Sequence, residues 1–129
     1  MKLHHLAIWT KDLEVMRSFY VKYFNMSSGE KYCNEKKGFS SYFLSFDTGD
    51  AKIELMQKTG ILDAQLPKND SFGIAHFAIY LGDKAAVDAL TERLRADQYT
   101  IASETRTTGD GYYESAILDP EGNYVEICV

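Results

Sequence analysis

Between Leu3 and Thr10 the apolar residues Leu6 and Ile8 alternate with His5, Ala7 and Trp9, which predicts a strand with one wholly apolar face. The period then changes. Leu13, Met16, Tyr20 and Tyr23 or Phe24 recur at helical spacing, so a helix is expected from about Leu13 to Phe24, with Asp12 as its N-terminal cap. Further strands are expected around Tyr32, over residues 39–46 and over residues 51–57, separated by Gly38 and by the turn Asp47-Thr48-Gly49. The first half is therefore βαβββ. Residues 58–73 hold Gly60, Pro67, Asn69 and Gly73 with no sustained period, as a linker would.

The same order then returns: a strand over residues 74–81, a helix from about Lys84 to Ala96 capped by Asp83, and strands over 100–104, 112–118 and 124–129. The run Asp119-Pro120-Glu121-Gly122-Asn123 predicts a tight hairpin before the last strand. The expectation is one α+β domain, residues 1–129, built from two tandem βαβββ modules at about 1–57 and 74–129.

The repeat extends to individual residues. His5-Leu6-Ala7-Ile8-Trp9 matches His76-Phe77-Ala78-Ile79-Tyr80, and Asp12 matches Asp83, both 71 residues further on. Ile53-Glu54-Leu55 matches Val125-Glu126-Ile127, and Asp47 matches Asp119, at an offset of 72. An imidazole and a carboxylate thus recur at the same place in each copy, and carboxylates set between branched apolar residues need a cation, a proton or a partner. His5, Glu54, His76 and Glu126 together suggest one divalent-metal site. By strand alternation Trp9 lies beside His5, Tyr80 beside His76, Met56 beside Glu54 and Tyr124 beside Glu126, so these four are candidates to line a substrate cavity. His4 has the opposite parity from His5 and is expected to be a surface or packing residue.

Composition narrows the partners. A formal charge of −5 in 129 residues argues against nucleic acid, and the cluster of Lys31, Lys36 and Lys37 is interrupted by Glu30 and Glu35. The apolar runs are far too short to span a membrane, and residues 1–15 lack the unbroken core of an export signal. Cys33 and Cys128 form no CxxC motif, which fits free thiols in a reducing cytoplasm.

Paired modules with His on the first strand and Glu on the last resemble the vicinal oxygen chelate superfamily, which includes glyoxalases, bleomycin-resistance proteins and extradiol dioxygenases. The most specific stretches are Leu3-His4-His5-Leu6-Ala7-Ile8 followed by Asp12-Leu13 and Phe19-Tyr20, then residues 73–79, then Asp119-Pro120-Glu121-Gly122-Asn123-Tyr124-Val125-Glu126. The resemblance covers the whole chain and implies that the two modules form a cupped mixed sheet around a divalent ion held by His5, Glu54, His76 and Glu126, the ligand types of bacterial glyoxalase I. Two imidazoles and two carboxylates suit six-coordinate nickel or cobalt, with zinc, manganese and iron as further possibilities, and leave room for two substrate oxygens. It further implies a lyase or isomerase in which Glu126, or secondarily Glu54, removes a proton, and it implies a homodimer.

Departures from glyoxalase I are specific. Trp9 occupies the place of an arginine that holds a glutathione carboxylate, Lys58 that of an asparagine and Phe72 that of an arginine, so a small-molecule substrate other than the glutathione adduct is expected. Lys58 and Arg106 are candidate anion contacts. Alternatives within the superfamily are a fosfomycin-resistance-like thiol transferase or an extradiol dioxygenase, each with three protein ligands, and a metal-free, drug-sequestering protein of the bleomycin-resistance type.

Overall fold

A computed structural model describes residues 1–62 and 72–129, so residues 63–71 of the expected linker lie outside the described residues. The chain divides into two compact units, Met1–Asp63 and Ala64–Val129, each with its own mixed sheet and one long helix in an α+β fold of tandem modules.

In the first unit β1 (His5–Trp9) leads to α1 (Leu13–Phe24). The Asp12 carboxylate accepts hydrogen bonds from the Glu14 and Val15 amides at 3.1 and 3.0 Å, which satisfies donors that helix geometry leaves open. Asn25, in the left-handed region at φ 51°, ends the helix. There follow β2 (Ser27–Ser28), β3 (Tyr32–Asn34), one 3₁₀ turn at Glu35–Lys37, β4 (Phe39–Ser45) and β5 (Lys52–Lys58). The strand order is β1-β5-β4-β2, with β3 also on β4; β1 runs parallel to β5 and the other pairs are antiparallel. Leu13, Met16, Phe19, Tyr20, Tyr23 and Phe24 of α1 are buried, as are Ile8, Leu44, Ile53 and Leu55 on the strands. At about 1.5–3 kcal/mol for each large apolar side chain, this core fixes which face of every strand is left for chemistry.

The second unit has β6 (Phe77–Tyr80), α2 (Lys84–Ala96), β7 (Ile101–Thr107), β8 (Tyr113–Leu118) and β9 (Tyr124–Cys128) in the order β6-β9-β8-β7. Again the first and last strands, β6 and β9, are parallel neighbours. Asp83 caps α2 by accepting from the Ala86 amide at 2.8 Å, and Val87, Leu90, Thr91 and Leu94 bury its inner face. The buried Thr91 hydroxyl donates to the Val87 carbonyl at 2.7 Å and lies 2.7 Å from the Ser115 hydroxyl, so helix and sheet share a satisfied polar contact.

The elements differ from the sequence expectation in three respects, the first being that β7 runs on to Thr107 where the strand was expected to end at residue 104. β6 starts at Phe77, not at residue 74, because its ladder with β9 begins only at Phe77–Val125; Ile74, Ala75 and His76 are exposed and unladdered. The first unit also carries the two-residue β2, too short to leave a periodic signal.

Candidate metal centre

The two parallel pairs have the same register at the residues that matter. Ala7 stands opposite Glu54, and Ala78 stands opposite Glu126. Each histidine lies two residues before its alanine, so imidazole and carboxylate are diagonal neighbours on one face. The alanine side chain is short enough for the two to meet across it. His5 Nε2 lies 3.6 Å from Glu54 Oε2, and His76 Nε2 lies 3.2 Å from Glu126 Oε2. The carboxylates are mostly covered, at 16% and 21% side-chain exposure, and the imidazoles less so, at 38% and 44%.

These separations suit two ligands of one ion. Donors each about 2.1 Å from a divalent metal stand about 3 Å apart at a right angle and farther apart as the angle opens. Imidazole nitrogen with carboxylate oxygen is also a donor mix that zinc, nickel, cobalt and iron accept. The structure thus brings the candidate ligands together pairwise, one His–Glu pair within each unit; among the described residues no cluster of three or more His, Cys, Asp or Glu side chains occurs at metal-binding separation.

The surroundings of the two pairs differ. His4 lies against His5, their Nδ1 atoms 2.8 Å apart, and Phe43 presents an edge-on ring with its centroid 5.5 Å from that of His5. Strand alternation predicts that His4 points away from His5, but β1 begins only at His5, so the alternation does not bind its neighbour. Phe43 is opposite Glu54 in the β4–β5 ladder; the residue in that place in the second unit is Ala116. Trp9 is 42% exposed and meets Phe39 edge-on at 6.2 Å, and Phe39 meets Tyr32 at 6.1 Å. Register puts Trp9 opposite Met56, Met56 opposite Ser41 and Tyr32 opposite Ser41, so this aromatic shelf lies on the face of the His5–Glu54 pair. The sequence reading puts strands at Tyr32 and Phe39, but only the strand register shows that these rings share a face with Trp9.

In the second unit Tyr124 is half-buried beside Glu126 on β9, and Tyr80 is 70% exposed on β6, opposite Cys128. Glu114 lies opposite Cys128 on β8, with only 14% of its side chain exposed, and pairs with Arg106 at 3.2 Å. Arg106 thus carries a carboxylate partner of its own. Burial, followed by the nearby Glu126 and Glu114 carboxylates, pushes the Cys128 thiol above its ordinary range. Cys33 and Cys128 are both free thiols.

Fold and register together define a protein of two repeated modules, each with a histidine at or just before its first strand and a glutamate on its last. A profile of the Glyoxalase/Bleomycin resistance protein/Dioxygenase superfamily matches residues 2–127, and the chain belongs to that family. It is 26% identical over 129 residues to YqjT of Bacillus subtilis strain 168, an uncharacterised protein, with 97% of this chain and 96% of that one covered. Among solved structures, a trypanothione-dependent glyoxalase I of Leishmania major superposes with a TM-score of 0.77 at 22% identity, over 98% of this chain and 85% of that one. A lactoylglutathione lyase of Agrobacterium tumefaciens superposes with a TM-score of 0.70 at 25% identity, over 98% and 92%. The superfamily includes glyoxalase I enzymes and also members that are not enzymes. Among the described residues no helix is long and apolar enough to cross a membrane.

Proposed function

We propose that this chain is a metal-dependent lyase or isomerase of the glyoxalase I type, acting on a small substrate with adjacent oxygens. His5, Glu54, His76 and Glu126 would hold one divalent ion, with nickel or cobalt preferred over zinc, manganese or iron. The observation that carries this reading is the repeated diagonal pair, His5–Glu54 at 3.6 Å and His76–Glu126 at 3.2 Å, set in the same register on both parallel strand pairs. When bound, the ion supplies electrostatic stabilisation of the negative charge that develops on the substrate oxygens.

The protein's own groups supply the rest. Glu126 removes the proton from the carbon beside the substrate carbonyl and returns it to the neighbouring carbon, with Glu54 the second candidate for this role. Trp9, Met56, Tyr80 and Tyr124 line the site and exclude water. The lactoylglutathione lyase of A. tumefaciens supports this chemistry at 25% identity. Trp9, at the place of the glutathione-binding arginine, argues for a smaller or more apolar substrate than the glutathione adduct. Superfamily members often dimerise, and we place this protein in the cytoplasm as a homodimer; sedimentation at micromolar concentration showing only a 14.6 kDa species would overturn the dimer.

The test is elemental analysis of the purified protein, followed by titration with nickel, cobalt, manganese, iron and zinc. Uptake of one equivalent per site that is weakened in His76→Ala supports the reading. No uptake at neutral pH, or unchanged affinity in that variant, overturns it. A second reading, metal-free sequestration of a flat apolar drug, is favoured by the shelf of exposed Trp9 and Tyr32 with half-buried Phe39 between them. It predicts saturable quenching of Trp9 fluorescence by such a ligand in metal-stripped protein.

A further inference from the structure

Two residues beyond its glutamate, each unit lays a row of side chains across its sheet on the face of the His–Glu pair, and the two rows differ in kind. In the second unit register aligns Tyr80, Cys128, Glu114 and Arg106, the last two joined as an ion pair at 3.2 Å. In the first unit the corresponding residues are Trp9, Met56, Ser41 and Tyr32, none of them charged. Phe39, the next residue of β4 on that face, meets both Trp9 and Tyr32, at ring-centroid separations of 6.2 and 6.1 Å. Ser41 is buried within this row, while Trp9 and Tyr32 stay exposed. The Trp9–Phe39 contact is edge-on, which uses the edge of one ring and one face of the other and leaves flat faces open for stacking.

A cation stands at the end of this shelf. Lys58 closes β5 on the same face as Glu54 and Met56, opposite Phe39 in the β4–β5 ladder. It is exposed, and among the described residues it has no ion pair, hydrogen bond or ring contact. Lys52, on that face at the other end of the strand, has the Glu54 carboxylate as its next neighbour along β5, whereas the neighbours of Lys58 along and across the strands are Met56 and Phe39. Four residues separate Lys58 from Glu54, about 13 Å of strand, and the row of rings crosses the sheet between them.

We propose that Trp9, Phe39, Tyr32 and Lys58 form a specificity subsite for a planar aromatic carboxylate, whose ring stacks on the shelf while its acid group reaches the Lys58 ammonium. This names the substrate class for the metal-dependent reading above and rests on it for the place of reaction: the reacting oxygens lie at the His5–Glu54 end, the aromatic body crosses the shelf, and the acid group lies at the far end. A neutral flat ligand uses the rings and leaves Lys58 to water. A small acid without a ring finds only a solvated lysine, a contact of little strength by itself. Recognition therefore needs both parts in one molecule.

The experiment measures binding of naphthoate and of its neutral amide to metal-stripped protein, by calorimetry at low salt and by the indole N–H resonance of Trp9, the single tryptophan of the chain. The expected result is that naphthoate binds about fivefold more tightly than the amide, the upper range for a lysine–carboxylate contact open to water, and shifts the Trp9 resonance. Lys58→Gln should abolish that preference and Lys52→Gln should keep it. Trp9→Leu should weaken both ligands by about two- to tenfold. Equal affinity for acid and amide in wild type overturns the proposal in favour of drug sequestration. An unmoved Trp9 resonance at saturation, no binding of either ligand, or the same loss of preference in Lys58→Gln and Lys52→Gln also overturns it. If naphthoate binds as expected and the protein takes up no nickel, the metal reading fails and the subsite stands.

Discussion

Replacing Asp119 with alanine should destabilise the protein more than any other single change in a turn. Asp119 is only 4% exposed, and its carboxylate accepts from the Glu121 amide at 3.0 Å, the Asn123 amide at 2.9 Å and the Asn123 side chain at 2.6 Å. Its backbone also closes the turn, giving its carbonyl to the Gly122 amide and its amide to the Asn123 carbonyl, both at 3.0 Å, while Gly122 takes φ +77° without a Cβ penalty. A hydrogen bond to a charged group contributes about 1.5–3 kcal/mol, but water can reach part of this turn once the carboxylate is gone, so about 2–4 kcal/mol is expected for the three together. For a chain of this size that corresponds to a fall in Tm of roughly 6–20 °C. Asp119→Asn should lose about half as much, because its carbonyl oxygen still accepts from the backbone amides while its NH₂ opposes that of Asn123. Urea unfolding of the three proteins measures this. A loss below about 1 kcal/mol for the alanine variant, or equal losses for the two, would refute the assignment of the stabilisation to charge-assisted capping.

Three further outcomes are expected. Thr91→Val should cost about 1–3 kcal/mol in urea unfolding, because it strands the buried Ser115 hydroxyl, and Ser115→Ala in the same background should recover part of that loss. Glu14 is held below its ordinary carboxylate range, chiefly by its bond to Lys31, so its stabilising contribution is present above the usual carboxylate pKa and lost as pH falls through the lowered value. The stability gap between wild type and Glu14→Gln should therefore be larger at about pH 7 than at about pH 3, and salt should shrink it because both partners are exposed. Turnover of the methylglyoxal–glutathione hemithioacetal should lie below about 10⁴ M⁻¹s⁻¹ in kcat/KM, and Trp9→Arg should raise it about ten- to a hundredfold by restoring a charge-assisted contact; no gain would show that Trp9 does not face the glutathione carboxylate.

Both helices are legible in the sequence, Leu13–Phe24 and Lys84–Ala96, because each opens on an aspartate cap and keeps its apolar residues at helical spacing. Faces were legible too: Ile53 and Leu55 are buried while Glu54 and Met56 are not, and Val125 and Ile127 are buried while Glu126 is not. What alternation cannot carry is register. That Ala7 falls opposite Glu54, so that His5 reaches the carboxylate diagonally, depends on how two strands slide past each other, and neither strand's own pattern encodes it. The same limit hid Phe43 and the Tyr32–Phe39–Trp9 contact. His4 is an exposed residue packed on a ring, as expected, but that the ring is His5 was not legible, because His4 stands one residue before the strand begins.

The parallel pairing of first with last strand also sets an order in time. His5 and Glu54 are about fifty residues apart along the chain, as are His76 and Glu126, so joining either pair closes nearly a whole module into a loop whose entropy costs about 3.5 kcal/mol from its length alone. The antiparallel neighbours β4–β5 and β8–β9 close far shorter loops and are expected to form sooner. On a ribosome, β1 must wait unpaired until β5 has been made, and β6 until β9. Each imidazole therefore meets its carboxylate only at the end of its own module's folding.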